Sequence, residues 1–579
     1  MNDLSLFFVI FIGFFVLVSL LGVINARRDE QAFRQKLARS FGLLPDRIYE
    51  PERIARIPRF FEKHTSGFVI DDITANDLDV WQLFARVSYC QSAAGEEVLY
   101  HLLRTPCFDT DVLDARERMI RVLTSDPSVR VDLQTAFHRL GGSGKYSVYD
   151  YLDTLKLVRQ KSNLPHYLGI AALIASAVLL IFSFTTGFLC LLCCAVFQIV
   201  TYFRGKKECD AYLAVFSYVL RLIFCAERVE KILMSADPDV RDAFHSHAER
   251  LKDSRTALSQ FRRGSGVLMS SSRMGGSGNP LDIFADYIRI LTHIDLIKFD
   301  QMVKEAGKHG KEIDTLIASL GEIEAWISVA CFRASLPHDA DGSTGYCLPH
   351  FSDPSDDTTF SVMDLRHALL EEGAVSNSMT VKRPVLLTGS NASGKSTWLK
   401  SMGLAALMAQ TIHTVTAKAY RAPACRIYSS MALSDNLQNG ESYYIVEIRA
   451  LSRVLQAAGC KDEPPVLCFI DEVLRGTNTV ERIAASAQIL SHFSTQNVLL
   501  FAATHDLELT ELLKDRFDNY HFEGELLADD VHFDYLLKEG PSVTRNAIGL
   551  LKRFSYDSSI TGRAEEMAAR FIETGVWSL

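Results

Sequence analysis

Thirty-seven consecutive residues, Tyr167 to Phe203, contain no Asp, Glu, Lys or Arg. Nothing else in the chain narrows its folding options as sharply, because so long an apolar run has to be taken out of water. At about 1.5 Å of rise per helical residue, it suffices for two short crossings of a hydrocarbon layer about 30 Å thick. The turn between them falls near Ser183 to Gly187. Lys161 precedes the tract and Arg204, Lys206 and Lys207 follow it, so both ends are expected on the cytoplasmic side. Pro165 suits a first helical position. A re-entrant hairpin is the alternative, since each arm is near the short limit, and a buried core hairpin is the bland one.

A second stretch, Leu4 to Ile24, has 21 residues without a charge and is followed by Arg27 and Arg28. A cleaved leader carries its positive charge first, with a shorter apolar core. The order here predicts an uncleaved anchor, N-terminus outside, with the bulk of the chain in the cytoplasm. The expected location is therefore the cell inner membrane, multi-pass, with the C-terminal domain cytoplasmic.

At 579 residues the chain has room for about three or four domains. Its net charge of −9 argues against binding nucleic acid through bulk positive charge, although a local basic channel remains open. Cys190, Cys193 and Cys194 cluster inside the apolar tract and read as small hydrophobes; the other nine cysteines are scattered singly. That pattern fits a reducing compartment and predicts no structural zinc.

The expected organisation is an anchor over 1–25, a juxtamembrane segment over 26–70, a first helical stretch over 71–160, the transmembrane hairpin over 166–204, further helices over 205–335, a Pro- and Asp-rich linker over 336–359, and a last domain over 360–579. Apolar residues recur at helical spacing from Asp72 to Leu103, over 210–255 and over 281–335. Between the last two lies a Gly/Ser loop, 264–280. Arg255, Arg262, Arg263 and Arg273 occur in or beside it, with no acidic residue from Ser254 to Leu281. Those arginines are candidates for contact with DNA phosphates or anionic lipid, against a simply solvated loop.

The chemistry begins after Pro384. A short apolar strand, Val385 to Thr388, leads into Gly389-Ser390-Asn391-Ala392-Ser393-Gly394-Lys395-Ser396, and a helix follows from Thr397. This is G-x-x-x-x-G-K-S between a strand and a helix. The glycines let backbone N–H groups face phosphates, Lys395 supplies charge to the β/γ oxygens, and the Ser396 hydroxyl is a Mg²⁺ ligand. The helix N-terminus adds a favourable dipole. Val466 to Ile470 reads as a parallel strand buried on both faces, and it ends in Asp471-Glu472. Asp471 is placed to hold the Mg²⁺ shell and Glu472 to polarise the attacking water. A third strand, Val498 to Ala503, delivers Thr504-His505, where His505 either senses the γ-phosphate, orients water or is structural.

These motifs resemble those of the MutS family of mismatch-repair ATPases. Thr388 to Thr397 is similar to TGPNMGGKST, and Ser434 to Ile448 to DDLxxGxSTFxVEM. Asp471 to Thr479 is similar to DExxRGTST, and Phe501 to Leu509 to FATHYxEL. Leu365-Arg366-His367 and Val375-Ser376-Asn377 look like the family's RHP and VPND elements, and Tyr535 to Arg563 like its closing helix region. The resemblance implies an α/β P-loop NTPase domain of the MutS and ABC type, C-terminal to a mainly helical lever domain. About three transmembrane helices are added here. It implies ATP and Mg²⁺, a phosphate site of Gly389 to Thr397, catalytic roles for Glu472, His505 and Lys395, and a homodimer in which Ser442 reaches the opposite subunit's γ-phosphate.

The departures are as specific. The family's N-terminal mismatch-wedging domain has no counterpart, and Phe60-Phe61-Glu62 matches its three-letter motif only by coincidence. The DNA clamp is replaced by the loop over 264–280, and Tyr443 stands where the family has Thr. Two functions follow as expectations: a membrane-anchored MutS-like ATPase that couples hydrolysis to DNA, or a membrane mechanoenzyme of transport type that does not act on DNA.

Overall fold

The computed structural model describes residues 24–25, 27–45, 47–144, 146–157, 162–263, 265, 287–338, 344–352, 359–370, 373–390, 393–431, 443–460, 462–475, 477–526, 531–542, 548, 551 and 556–577. The anchor expected over 1–25 therefore lies almost wholly outside the described residues. So do Asn391, Ala392, Ser442 and Arg273.

The chain divides into two compact units. One comprises Met1–Thr65, Val87–His101 and Arg118–Ser335 and is helical; the other comprises Ser66–Arg86, Leu102–Glu117 and Leu336–Leu579 and is mixed α/β. The stretch over 71–160, expected as one block, thus contributes to both units. Its expected single helix from Asp72 is broken into Asp72–Asp77, Val80–Val87 and Ala93–Arg104. Asp79 in the left-handed region makes the first break, which apolar periodicity alone does not register.

In the helical unit, Asp126 caps Pro127–Leu140 by accepting from the Ser128 and Val129 amides at 2.9 and 3.0 Å. The apolar tract forms Leu164–Phe182 and the start of a 52-residue helix, Phe184–Ser235, broken at Ser183 within the expected turn. Gly187 is required there, because a Cβ would lie 2.5 Å from the Leu180 nitrogen. Three described helices are long and apolar enough to cross a membrane: Leu164–Phe182, Phe184–Lys207 and Gly310–Ser335. They differ in surroundings. The most apolar windows of the first two are 6% and 11% buried, whereas that of the third is 83% buried and forms the unit's core with Leu316, Leu320, Ile323 and Phe332.

Among the described residues the α/β unit carries ten strands: β1 His350–Phe351, β2 Phe360–Leu365, β3 Asn377–Val381, β4 Val385–Gly389, β5 Ala419–Ala422, β6 Arg426–Ser430, β7 Val466–Asp471, β8 Val498–Ala503, β9 Asp518–Leu526 and β10 Val531–Glu539. Four of them form a small sheet of order β1-β5-β2-β3, and six form the main sheet, β10-β9-β4-β8-β7-β6. The main sheet is parallel from β6 to β9, with β10 antiparallel at its edge. All six residues of β7 are buried, as expected where helices cover both faces of a parallel sheet. Phe469 of β7 stacks on Phe501 of β8 with centroids 5.5 Å apart.

Segment Ser66–Arg86 is pinned into this unit by buried polar contacts. Asp77 accepts from the Ser429 hydroxyl at 2.6 Å and the Met431 amide at 2.9 Å, and Asp71 pairs with Arg453. Tyr535, expected at the start of a closing helical region, sits on β10; the helix itself is Ser558–Thr574.

Candidate functional site

Strands β4, β7 and β8 are neighbours, and their C-terminal ends deliver the P-loop, Asp471-Glu472 and Thr504-His505 to one edge. In open parallel sheets that edge is where ligands bind. There a cavity of about 410 Å³ is lined by Ser393 to Thr397, Asp471, Glu472, Arg475 and His505. His367, Val375 and Asn377 line it too, so both weak upstream motifs reach the same site.

Local backbone geometry shows why the loop reads as it does. Gly389 has φ +144°, and a Cβ there would lie 2.6 Å from the Phe522 carbonyl oxygen. Gly394, at φ +110°, opens helix Lys395–Ile412. Lys395 is 5% exposed, and its ammonium donates to the carbonyls of Gly389 and Ser390 at 2.8 and 2.9 Å. Burial lowers its pKa to about 8, against the opposing pull of Asp471 and Glu472. The Ser396 hydroxyl donates to Asp471 at 2.5 Å, so the two expected metal ligands are already adjacent.

The residues fit a nucleotide polyphosphate with Mg²⁺ on observations independent of the motif. The hydroxyls of Ser390 and Ser393 are buried in the loop with no hydrogen-bond partner, an arrangement that costs free energy unless a ligand completes it. Lys395 and the helix N-terminus would hold the phosphates, and Ser396 with Asp471 would hold the metal. A bound Mg²⁺ would neutralise charge developing on phosphoryl oxygens.

Glu472 adopts φ +61° and Leu474 φ +59°, the left-handed region that non-glycine residues seldom enter. The Glu472 carboxylate meets the His505 ring at 2.9 Å and also pairs with Arg475. Burial works to raise its pKa, but the bonds from His505 and the charges of Arg475 and Lys395 outweigh it, and the pKa falls below the ordinary value. His367 is pushed the same way, by burial and by Lys400. It therefore enters the cavity neutral, and its Nδ1 accepts the Leu369 amide at 3.2 Å, leaving the proton on Nε2.

Two contributors have no role assigned from the sequence. Glu447 reaches from helix Tyr443–Ala458 to accept the Leu474 amide at 2.5 Å and the Arg475 amide at 3.4 Å. Arg482 makes a two-pronged pair with Asp506, at 2.9 and 2.6 Å, which braces the turn carrying His505. Burial raises the Glu447 pKa, and its second oxygen is buried without a partner. The resemblance contains Glu447, and only contacts reveal its job.

The loop arginines lie in the helical unit. Arg255 pairs with Glu230 at 2.9 Å, and Arg262 pairs with Glu227 at 2.7 Å while its guanidinium lies over Phe224. Arg263 is exposed at the end of the short helix Ser259–Arg262.

The family model for MutS domain V matches residues 385–572. The DNA mismatch repair protein MutS of Chlorobaculum tepidum is 30% identical over 286 residues, which is 47% of this chain and 31% of that protein. MutS of Microcystis aeruginosa is 27% identical over 285 residues, 46% of this chain and 30% of that protein. DNA mismatch repair protein MutS 2 of Haloarcula marismortui is 30% identical over 197 residues, 33% of this chain and 20% of the relative. The chain thus spans less than a third of the length of these curated relatives. With its phosphate loop, the Asp471-Glu472 strand end and the match over 385–572, the α/β P-loop unit is similar to MutS domain V.

Proposed function

We propose that this protein is a membrane-anchored ATP hydrolase of the MutS type, acting as a homodimer that couples hydrolysis to DNA. The observation that carries the hydrolytic reading is the convergence of Lys395, the Ser396–Asp471 pair and the Glu472–His505 pair on adjoining strand ends. Lys395 would hold the phosphates and Glu472 would take the proton of the attacking water. His505 orients the Glu472 carboxylate. Dimerisation and a trans contact from Ser442 rest on the family resemblance, and mismatch recognition itself is left out of the proposal.

Membrane attachment is supported by the two exposed apolar arms, Leu164–Phe182 and Phe184–Lys207, whose chemistry suits lipid and not water. The proposed location is the inner membrane with the ATPase unit in the cytoplasm.

The test uses the full chain in detergent or lipid. Glu472→Gln is expected to retain Mg²⁺-ATP and to turn it over at least about a hundredfold more slowly, the scale of a lost general base. Near-normal hydrolysis by that variant would refute the assignment.

The second reading, a transport-type motor without DNA, is favoured by the ion pairs that already engage Arg255 and Arg262. Duplex-DNA binding separates the two. Affinity that falls steeply with salt and disappears on replacing Arg255, Arg262, Arg263 and Arg273 supports the DNA reading. No binding at low salt with ATP present supports the motor.

A further inference from the structure

The backbone after β7 is strained and held. Glu472 and Leu474 both occupy the left-handed region, with Val473 between them. Such conformations persist only where the surroundings impose them, and they concentrate at switches. Here three contacts impose them. The Glu472 amide donates to the Ala503 carbonyl at 2.9 Å, Ser486 donates to the Val473 carbonyl at 3.2 Å, and Glu447 accepts from the Leu474 and Arg475 amides. The first two come from β8 and from helix Thr479–Phe493, and the third from helix Tyr443–Ala458.

This geometry aims the Arg475 side chain back at Glu472. One carboxylate oxygen faces the Arg475 guanidinium and the other faces His505. A general base has to offer a lone pair to the water it deprotonates. With a guanidinium on one oxygen and an imidazole on the other, each Glu472 oxygen already has a partner that competes with the attacking water for it. Arg475 is 42% exposed on its side chain and lines the cavity, so its guanidinium has open space to turn into once it leaves Glu472.

We propose that Arg475 is a latch that restrains Glu472, and that Glu447 sets the latch by fixing the backbone from which Arg475 projects. The inference rests on the hydrolytic reading and adds its regulation. Displacement of helix Tyr443–Ala458 withdraws the Glu447 carboxylate from the Leu474 and Arg475 amides. The strained backbone then relaxes, Arg475 leaves Glu472, and the base is free to act. Arg475 is a positioning residue in this scheme and not a catalytic one.

The experiment measures steady-state ATP turnover of the full chain in lipid without added DNA. Arg475→Gln is expected to raise kcat at least about fivefold with KM within twofold, because the group removed restrains chemistry and not binding. Arg475→Lys, which keeps the charge without the planar fork, is expected to fall between that variant and the parent. Glu447→Ala is expected to change kcat in the same direction as Arg475→Gln, and the double variant to exceed neither single, as for two parts of one device. Arg475 is exposed, so its variants stay informative even where Glu447→Ala fails to fold. Hydrolysis that is present in the parent and absent in Glu472→Gln, yet unchanged or slowed in Arg475→Gln, overturns the latch alone. An Arg475→Gln protein as inactive as an inactive parent overturns the latch and the hydrolytic reading together.

Discussion

The two units each contain a polar cavity of similar size, about 410 Å³ at the P-loop and about 430 Å³ in the helical unit, and they treat buried polarity differently. The helical cavity is lined by Arg53, Arg56 and Glu96, whose charges are spent on one another: Glu96 accepts from Arg53 and from Arg56 at 3.0 Å. Nearby, Glu324 accepts from the Gln91 and Ser92 amides and the Ser92 hydroxyl. The P-loop cavity instead has orphaned hydroxyls at Ser390 and Ser393 and strained backbone at Glu472 and Leu474. Mutually paired charges specify a structure, whereas unpaired hydroxyls beside strained backbone describe a site awaiting a ligand. Volume does not distinguish the two cavities, and each holds an orphaned donor, Arg56 Nε in the helical one; strained backbone is what sets the P-loop cavity apart.

The largest effect that contrast predicts is at Lys395. Its ammonium is buried and, in this state, bonded only to loop carbonyls among the contacts described, so a polyanion is its natural partner. Lys395→Ala is expected to weaken ATP binding and to reduce hydrolysis by at least about a hundredfold while leaving the fold unchanged. Equilibrium binding of a fluorescent nucleotide separates this from Glu472→Gln, which keeps binding. Equal affinity in parent and Lys395→Ala would remove the functional half of the comparison.

The phosphate loop, its strand and the Asp471-Glu472 strand end were legible because each couples a run of local apolar residues to a motif of fixed spacing. The hairpin arms were legible because composition alone sets them, down to the break at Ser183. What the chain does between Asp72 and Leu103 was not: periodicity marks Leu78, Leu83 and Phe84 as buried but is blind to which partner buries them. Ser66–Arg86 joins the α/β unit through Asp71 and Asp77, whose partners lie more than 350 residues away. Glu447 and Arg475 were visible as letters of a motif and invisible as a pair, since their link runs through backbone amides.

A smaller effect tests whether the helical network is structural. Glu97 is buried beside Ser147, which donates to it at 3.0 Å, with Arg56, Glu96 and Asp150 around it. Burial raises its pKa to about 8, more than Arg56 can offset. Below the unfolded value near 4.5 both states hold the proton and the group contributes nothing to the pH dependence. Between there and about 8 the unfolded chain releases the proton while the folded unit keeps it, so stability declines as pH rises. The shift caps the loss at about 5 kcal/mol. Glu97→Gln retains an acceptor for Ser147 and is expected to flatten the decline. Its melting temperature relative to the parent should therefore be higher at pH 9 than at pH 5. A difference equal at both pH values contradicts a neutral buried Glu97.

The smallest effect isolates local structure from networks altogether. Asp126 lies outside both cavities, and its carboxylate accepts the amides of Ser128 and Val129 at the start of Pro127–Leu140. Without it, two of the helix's first amides lose their partner and must find water. Asp126→Ala is expected to cost about 1 kcal/mol in the helical unit, while Asp126→Ser, which can still cap, is expected to restore most of it. Neither substitution should alter ATP turnover, because the affected amides belong to the unit that lacks the P-loop. Thermal unfolding in parallel with an ATPase assay makes the comparison sharp. A loss of turnover matching the loss of stability would mean that the helical unit's integrity sets the activity of the site, and the two units could no longer be treated as separate accounts of buried polarity.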